Sequence, residues 1–372
     1  MIGVFSFFAG AGFLDLGFEM TKHFKILFVN ELKPAFNKIY QYSRQHMRIE
    51  PPMYGYLVGD IVELLTDQEL NANLHNMIAE ARNNADIDMV AFIGGPPCPD
   101  FSIAGKNRGR DGDNGKLSQT YVDLICNATP DIFVFENVKG LYRTARHRAF
   151  FEELKQQLIN SGYALTEQLI NAIEFGAPQD RERIILIGVQ RHIAEERGLE
   201  IIENKLVGFD WNRHKLYNRD VLNLPWPTTS PYGEGSKLVA PKGIINELTI
   251  QYWWDKNDVA HHPNANMFFK QKAGLVRFQT KEEGNDLKKC YKRLHRWRYS
   301  PTAAYGNNEV HIHPYYPRRI SVAEALAIQS LPANYVVPQE VTLSDAFKTI
   351  GNGVPYLVAY GVAMDIYDYI DH

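Results

Sequence analysis

The chain has 372 residues, which is long enough to bury a large core in two domains, or in one large domain that carries an insertion. Its composition, 45% hydrophobic and 22% charged, excludes a disordered chain, and its net charge of −3 excludes a nucleic-acid binder that is basic over its whole surface. Three cysteines without paired spacing indicate a reducing compartment, and no apolar run reaches the roughly 18 residues of a membrane span.

The amino-terminal residues predict a strand followed by a ligand-binding turn. Residues 2–8 are a strand-like apolar run, residues 9–12 are a glycine-rich turn, and a helix opens at Phe13. Such a turn lets backbone N–H groups approach a ligand closely. Asp15 stands where the full dinucleotide fingerprint has glycine, so the pattern indicates a nucleoside but not specifically NAD.

Two further strand ends carry acids that suit a nucleoside. Residues 25–31 predict a strand that ends at Glu31, whose carboxylate can accept both hydroxyls of a ribose. Residues 57–61 predict a third strand-to-helix junction at Asp60. Asp60 could accept a hydrogen bond from an adenine amino group or cap the following helix, and the sequence leaves both interpretations open.

Cys98 is the first candidate for covalent catalysis. Residues 89–93 predict a buried strand, and the Gly-Gly-Pro-Pro segment 94–97 ends it and holds Cys98 just beyond its carboxyl edge. This lead-in forbids helix and fixes a nucleophile in place. We interpret Cys126 and Cys290 as small buried residues without reactivity.

The segment after Cys98 alternates again between helices and strands. The polar, glycine-rich run 103–116 predicts a mobile lid over a charged substrate, and it precedes a helix over 121–128. A strand over 131–135 then places Glu136 at the same sheet edge as Cys98, and a helix follows over 150–161. Before the strand 184–189, Arg181 and Arg183 share one face of an extended segment, as a pair of substrate clamps would.

The regular alternation of strands and helices is lost after about residue 190. Residues 191–317 contain all five tryptophans and predict a separate, mostly β or irregular domain. Within it, residues 270–298 contain ten Lys or Arg against three acids, a local net charge of +7 that suits phosphate. We interpret the histidine pairs 261–262 and 311–313 as hydrogen-bonded or solvated residues rather than metal ligands.

Helical patterns return near the carboxyl terminus. Ser321 and Glu324 form a capping box on a short helix within 318–332. Residues 344–350 then lead into a Gly-Asn-Gly turn at 351–353, and a last apolar helix covers 356–370.

In this order, the motifs resemble those of the DNA (cytosine-5)-methyltransferase family of bacterial and phage restriction-modification systems. The resemblance covers nearly the whole chain and rests on these segments: 8–12, Asn30-Glu31, 59–61, Pro96-Pro97-Cys98, 136–138, 179–183, 318–332 and 351–355. The chain departs from the family at Ser6 and Phe13, where Asp and Gly are common, and at Pro99-Asp100 after the cysteine.

The resemblance implies an α/β fold with a Rossmann-like S-adenosylmethionine-dependent methyltransferase domain and a smaller, mostly β or irregular target-recognition domain. The catalytic domain would comprise residues 1–190 and 336–372, and the target-recognition domain residues 191–335. The implied location is the bacterial cytoplasm and nucleoid.

The resemblance also implies roles for individual residues. The catalytic residues would be Cys98, Glu136, Arg181 and Arg183. The cofactor, S-adenosyl-L-methionine, would contact Phe8, Gly10, Ala11, Gly12, Phe13, Leu14, Glu31, Leu32, Asp60, Ile61, Gly95, Pro97, Leu117, Asn352 and Val354. DNA would contact Lys106, Arg108, Arg110, Lys288, Lys289, Lys292, Arg293 and Arg296. No metal is expected.

The implied mechanism begins with attack of the Cys98 thiolate on cytosine carbon 6, which makes carbon 5 nucleophilic. Glu136 would relieve the charge at N3, Arg183 would bind O2, and Arg181 would hold Glu136 or the substrate. Arg181 or Arg183 would also lower the pKa of Cys98. The cytosine must be flipped out of the duplex, because carbon 6 is approached from above the ring.

Three alternatives stay open at this stage. The nearest is an RNA (tRNA) cytosine-5 methyltransferase on the same fold, although a variable domain of this length favours DNA. An NAD-dependent oxidoreductase would leave Cys98, Glu136 and the arginine pair unexplained, and the same residues argue against a catalytically silent DNA-binding protein. The expected partners are double-stranded DNA and a cognate restriction endonuclease that acts on the same site, with no membrane, and we expect a monomer.

Overall fold

The structure, a computed structural model, describes residues 1–97, 113–271, 274–288, 290–303, 305 and 310–371, of which residues 113 and 114 are described by their backbone alone. Cys98 and most of the predicted lid 103–116 therefore lie outside the described residues.

Nine strands of the described chain form one sheet. They are β1 (Ile2–Phe7), β2 (Phe24–Glu31), β3 (Tyr56–Val58), β4 (Met89–Gly94), β5 (Ile132–Val138), β6 (Tyr163–Asn171), β7 (Glu182–Gln190), β8 (Ile201–Ile202) and β9 (Lys205–Leu206). Their order in the sheet is β3-β2-β1-β4-β5-β7-β6-β9-β8. Strands β1 to β5 are parallel, with β1 at the centre of this parallel part.

The helices lie between and after these strands. They are α1 (Phe13–Met20), α2 (Pro34–His46), α3 (Glu63–Thr66), α4 (Gln68–Arg82), α5 (Asp113–Ala128), α6 (Ala145–Asn160), α7 (Arg191–Glu196), α8 (Ile250–Lys256), α9 (Leu275–Thr280), α10 (Val322–Ile328), α11 (Leu343–Asn352) and α12 (Tyr356–Ile370). Among the described residues, we find no helix with the length and apolar character needed to cross a membrane.

Helices cover both faces of the parallel strands, which explains why those strands are mostly apolar. One face packs against α4, α5 and α6, and the opposite face packs against α1 and α12. Helices α1 and α12 approach closely at Gly17, where an added Cβ would come within 2.3 Å of Ala359 Cβ. The predicted Rossmann-like α/β fold is therefore confirmed.

Strand β7 runs antiparallel to its neighbours β5 and β6, an arrangement that the sequence did not reveal. Its reversed direction brings the start of β7 to the edge at which β5 ends, and Arg183 is paired in register with Val138. Strand β6 itself was not predicted, because polar residues interrupt its apolar pattern. This reversal matters for the site, because it carries arginines to the carboxyl edge of the parallel strands.

Residues after 190 are largely irregular but remain attached to the sheet at first. Strands β8 and β9 extend it beyond β6, and Trp211 packs into the core beneath α12. Farther along, α8 and α10 share a core with α11 and with Phe13 of α1. A separate short ladder pairs β10 (Lys292–Arg293) with β11 (His311–Ile312). The division at residues 191 and 335 stays a prediction.

Several local predictions need correction. Helix α5 begins at Asp113 rather than at 121, and α6 begins at Ala145 rather than at 150. Cys290 is exposed, whereas we interpreted it as buried, and Cys126 is half-buried. The buried His313 Nε2 lies 3.4 Å from Glu324 Oε1, and His262 Nε2 donates to the carbonyl of Tyr335.

Candidate active site

The carboxyl edge of the parallel strands brings Glu136 next to the segment that leads to Cys98. Gly95 follows β4, and a Cβ at this position would come within 2.6 Å of Glu136 Oε2. A side chain at this position would therefore push the Glu136 carboxylate away from where it now lies. Cys98 lies outside the described residues. The structure does fix the position of the chain that leads to it, through Gly95 and the partly buried Pro97.

Glu136 forms a close ion pair with Arg183. The Arg183 Nε lies 2.7 Å from Glu136 Oε1, and both side chains are largely buried. The pair follows from the strand register, because Glu136 is opposite Ile185 and Arg183 is its diagonal neighbour on the same face of β5 and β7. The sequence predicted that Arg181 would hold Glu136, whereas in the structure Arg183 forms this pair.

Burial and the two arginines act on Glu136 in opposite directions. Burial raises the pKa of the Glu136 carboxyl, and the positive charges of Arg183 and Arg181 lower it by a smaller amount. The net direction is upward. A carboxyl group with a raised pKa keeps its proton to higher pH, which is the property that a general acid requires.

Arg181 has a different position from the one we predicted. Its side chain is buried and donates hydrogen bonds to the carbonyls of Ala303 at 3.0 Å and Gly351 at 2.9 Å. It therefore holds backbone together rather than Glu136 or a substrate, and this part of the prediction is corrected. Its charge still acts on the Glu136 carboxyl from a distance.

Gln179 has a structural role that sequence reasoning missed. Its side-chain oxygen accepts the backbone N–H of Ala303 at 2.9 Å, and its side-chain nitrogen donates to Gln329 Oε1 at 3.0 Å. Together with Arg181, it fastens the segment before β7 to residue 303 and to the end of α10. The only signal in the sequence was its place in the motif 179–183.

The turn after β1 has the geometry of a ligand-binding loop. Gly10 and Gly12 have φ angles of 59° and 76°, a region that favours glycine, and Gly12 caps α1. The Gly10 N–H donates to Glu31 Oε2 at 2.8 Å, and the Lys33 N–H donates to Glu31 Oε1 at 2.9 Å. The turn after β1 and the end of β2 are thus joined through Glu31.

The Glu31 carboxylate lies at the end of β2, and its contact with a ribose stays a prediction. It is mostly buried, and burial raises its pKa although the backbone donors oppose the shift. Leu32, directly after it, is exposed, and Phe8 is half-buried with its ring edge-on to Tyr121. The structure therefore brings Phe8, Gly10, Glu31 and Leu32 to one edge of the sheet.

The other predicted cofactor residues divide into core residues and rim residues. The side chains of Ala11, Phe13, Ile61 and Val354 are buried in the hydrophobic cores, so these residues can offer a ligand only their backbone. The rim comprises the half-buried Leu14, Asp60, Gly95, Pro97 and Leu117 and the exposed Asn352. Asp60 Oδ1 accepts the Val62 N–H at 3.0 Å within the turn before α3, and its contact with adenine stays a prediction.

A buried acidic network lies beneath the glycine turn and was not predicted. The Ser6 hydroxyl and the Tyr40 hydroxyl each donate to the buried Asp15 carboxylate at 2.8 Å. Arg44 pairs with Glu19 at 3.0 Å and stacks on the Tyr40 ring. Ser6, one of the departures from the family, is therefore hydrogen-bonded to Asp15, which stands where the dinucleotide fingerprint has glycine. Asp15 supplies from α1 a carboxylate next to the strand end where Ser6 stands.

The predicted DNA-binding residues do not form one exposed set. Lys106, Arg108, Arg110 and Lys289 lie outside the described residues, Lys288 is exposed, and Lys292 is half-buried. Arg293 is 0% exposed and Arg296 is 4% exposed, and both are hydrogen-bonded inside the protein. The prediction that these two arginines bind DNA is therefore wrong in this structure.

Comparisons with known proteins agree with this geometry. The family model for C-5 cytosine-specific DNA methylases matches residues 2–368. The chain is 58% identical over 370 residues to the Type II methyltransferase M.NmeDI of Neisseria meningitidis serogroup C. The match covers 99% of this chain and 84% of that protein. The chain is 27% identical over 383 residues to the Type II methyltransferase M.MthTI of Methanothermobacter thermautotrophicus, with coverages of 97% and 96%.

A solved structure shows the same fold. The crystal structure of a prophage-encoded DNA modification methyltransferase from E. coli superposes with a TM-score of 0.65 over 100% of both chains, at 20% sequence identity. The match of the family model across the chain and the close relative together establish the family. The chain belongs to the C-5 cytosine-specific DNA methylases, and it is a DNA (cytosine-5-)-methyltransferase.

Proposed function

We propose that this enzyme transfers the methyl group of S-adenosylmethionine to carbon 5 of a flipped cytosine within a specific double-stranded DNA sequence, through a covalent adduct with Cys98. The observation that carries the proposal is the buried Glu136–Arg183 ion pair, at 2.7 Å, beside the glycine that leads to Cys98. An acid and a cation held together next to a nucleophile suit a reaction that builds charge on a ring.

The first step forms a bond between Cys98 Sγ and carbon 6 of the cytosine. The electron pair of the 5,6 double bond then becomes available at carbon 5, and the ring gains negative charge that a proton at N3 neutralises. Glu136 is placed to give that proton, since burial raises its pKa. Arg183 holds the carboxyl group in place and offers its remaining N–H groups to the base oxygen O2.

The second half of the reaction releases the enzyme. When bound, S-adenosylmethionine supplies an electrophilic methyl group, which carbon 5 accepts. Loss of the carbon 5 proton to a base then breaks the bond between carbon 6 and Cys98 Sγ, and the N3 proton returns to Glu136. The thiolate, the carboxyl group and the aromatic ring are restored.

The residues at the sheet edge fit this cofactor. Each Glu31 oxygen accepts one backbone N–H, which holds the carboxylate at the mouth of the turn in a position to accept ribose hydroxyls. Gly10, which has a positive φ angle, carries no side chain, so the methionine end can approach the backbone of the turn closely there. Asp60 and Leu32 would flank the adenine.

The assignment to duplex DNA and to a restriction-modification system rests on the relatives. M.NmeDI and M.MthTI are both named Type II methyltransferases, and the first is 58% identical to this chain. A cognate restriction endonuclease would act on the same sequence. Because the base must leave the stack for carbon 6 to be reached, base flipping is part of the proposal.

The test is transfer of a labelled methyl group from S-adenosylmethionine to mixed-sequence duplex DNA and, in parallel, to tRNA. We expect label on cytosine carbon 5 of the duplex and none after Cys98→Ser. Cys126→Ser is the matched control and should keep its activity, because this half-buried thiol lies on α5 in the core. Label on tRNA alone would overturn the DNA assignment.

A further inference from the structure

The basic segment 270–298 contains two kinds of cation with different roles. Arg296 forms a double hydrogen bond with Glu283, from Nε to Oε1 and from Nη2 to Oε2, each at 2.8 Å. Arg298 pairs with Asp286, and Arg293 donates to the carbonyls of His313 and Phe278. All three arginines therefore make contacts within the protein. Two of them pair with Glu283 and Asp286, which are two of the three acids in the segment.

The internal arginines anchor a loop that projects from the domain. The Gly284 N–H bonds to the Leu294 carbonyl at 3.2 Å, and the Arg293 N–H bonds to the Asn285 carbonyl at 3.0 Å, so the chain doubles back on itself. The tip of this loop carries Leu287, which is 90% exposed, and Lys288, which is also exposed. The Leu287 side chain is therefore held in solvent, and folding buries almost none of its apolar surface.

Helix α9 lies against the same loop. The Phe278 ring meets the Tyr291 ring at 5.1 Å, and Lys281 Nζ donates to the Tyr291 carbonyl. On its outer side, α9 exposes Leu275 by 52% and Val276 by 70%, next to the exposed Arg277. We define the reading surface as Leu275, Val276, Arg277, Leu287 and Lys288.

Single exposed apolar residues are ordinary on protein surfaces, but three on one helix–loop unit among cations are not. The cations attract phosphate, and apolar side chains contact thymine methyl groups and base edges in a groove. Since Glu283 and Asp286 are paired internally, they do not offset the charge at the tip. The reading surface is therefore complementary to a polyanion with apolar base edges.

We propose that the reading surface contacts duplex DNA directly, with Arg277 and Lys288 on phosphates and with Leu275, Val276 and Leu287 against the bases. The inference rests on the proposed function and deepens it, because it names the side chains that read the target. Arg293 and Arg296, which the charge count alone would favour, support this surface from below.

The test measures the affinity of Arg277→Gln, Lys288→Gln and Leu287→Ser for a duplex with a mapped methylation site and for a scrambled duplex, over a range of salt concentrations. Each charge removal should weaken both duplexes equally and reduce the salt slope by about 1. Leu287→Ser should weaken the site duplex about fivefold more than the scrambled one, because its contact is with bases.

Matched controls come from the far side of the sheet. Lys25→Gln on β2 and Ile202→Ser on β8 remove an exposed cation and an exposed apolar residue, and both should bind DNA as the wild type does. Binding of S-adenosylhomocysteine should be unchanged in all five variants. As an independent readout, the site duplex should slow alkylation of the exposed Cys290 at the base of the loop, measured by peptide mass spectrometry.

Two results would overturn the inference. Wild-type affinity and salt slope in all three variants would show that DNA binds elsewhere. Dissociation of a dimer by Leu287→Ser with unchanged DNA affinity, seen by sedimentation, would assign the surface to a second copy of the chain. Failure of the proposed function would look different, since the wild type would then bind S-adenosylhomocysteine but methylate no duplex.

Discussion

At the scale of single residues, the ion pair between Glu136 and Arg183 determines what the site can do. Glu136 and Arg183 are 47 residues apart in the sequence, yet the antiparallel register of β5 and β7 makes them diagonal neighbours. The pair is mostly buried, which raises the pKa of the carboxyl group even against a neighbouring cation. With its pKa raised in this way, the carboxyl group keeps its proton to higher pH than an exposed glutamic acid does, as a proton donor requires.

Glu136→Gln should lower the single-turnover rate of methyl transfer by about 10²-fold or more, because the amide cannot give a proton to N3. In the wild type, the protonated carboxyl is the active form, so the rate should fall as the pH rises through the raised pKa of Glu136. The variant should lose this alkaline decline. The measurement is the single-turnover rate between pH 5.5 and 9.

Glu182→Gln is the matched control for that experiment. Glu182 precedes Arg183 on β7 and pairs with the exposed Lys139 at the surface. Its rate and pH profile should follow those of the wild type. An alkaline decline that persists in Glu136→Gln would mean that another group titrates.

Glu31→Gln should weaken the binding of S-adenosylhomocysteine about tenfold or more, because hydrogen bonds to a charged acceptor contribute roughly 1.5–3 kcal/mol. Titration calorimetry measures the Kd directly. Glu63→Gln, which removes an exposed acid on α3, should leave the Kd unchanged. An unchanged Kd in Glu31→Gln would contradict the placement of the ribose.

Residue patterns predicted part of this site and missed part of it for a physical reason. Glu31 and Glu136 come at the ends of apolar runs, so their location near strand ends can be read from the sequence. The bond between Ser6 and Asp15 cannot be predicted in this way, because each residue is unremarkable until β1 and α1 are packed. Arg293 and Arg296 were wrongly predicted to bind DNA for the same reason. A count of charges does not show that backbone carbonyls and a carboxylate inside the protein accept their hydrogen bonds.

At the scale of elements, the strands buried on both faces were the easiest to predict. Strands β1, β2, β4 and β5 are mostly apolar, as expected beneath two layers of helices. Strand β6 was missed because its middle residues face partly outward and are polar. The first turns of α5 and α6 were missed because they are polar too, and helix starts carry little periodicity.

Asp365 provides a test of how α12 is held. This buried acid accepts the His214 N–H at 3.2 Å, and burial raises its pKa to about 7. The folded protein therefore binds this proton more tightly than the unfolded chain does, so the contribution of Asp365 to stability is lost as the pH rises from about 4 to about 7.

Asp365→Asn should raise the Tm relative to the wild type, and the difference should widen from pH 4 to pH 7 and then level off. The measurement is thermal unfolding of both proteins at several pH values. Asp220→Asn, at an exposed acid, is the control, and its Tm should equal that of the wild type at every pH. A difference between Asp365→Asn and the wild type that does not change with pH would refute this account.

At the scale of the whole molecule, the fold brings four separate parts of the chain to one edge. The glycine turn, Glu31, the lead-in to Cys98 and the Glu136–Arg183 pair all lie at the carboxyl ends of the parallel strands or at the start of the reversed β7. Gln179 and Arg181 fasten this edge to residue 303 and to Gly351, which lies at the end of α11 rather than in the predicted turn. The segment after 190 is therefore joined to the catalytic edge by buried hydrogen bonds rather than by a loose linker.

The architecture as a whole could be predicted because the motifs occur in a fixed order along the chain. What the order could not show is where the irregular segment attaches. Strands β8 and β9 belong to the main sheet, and α10 packs with α11, because the cores that they complete are formed by residues far away in sequence. Domain boundaries are set by such contacts and not by a change in composition.

The most direct test of the account is covalent capture of the target base. Mixed-sequence duplex DNA with 5-fluorocytosine in place of cytosine has no carbon 5 proton to lose, so elimination cannot release Cys98 after methyl transfer. With S-adenosylmethionine present, the wild-type enzyme should form an adduct that survives denaturation and maps to the Cys98 peptide, whereas Cys98→Ser should form none. An enzyme that methylates the ordinary duplex but forms no adduct, or forms it at another residue, would contradict the mechanism.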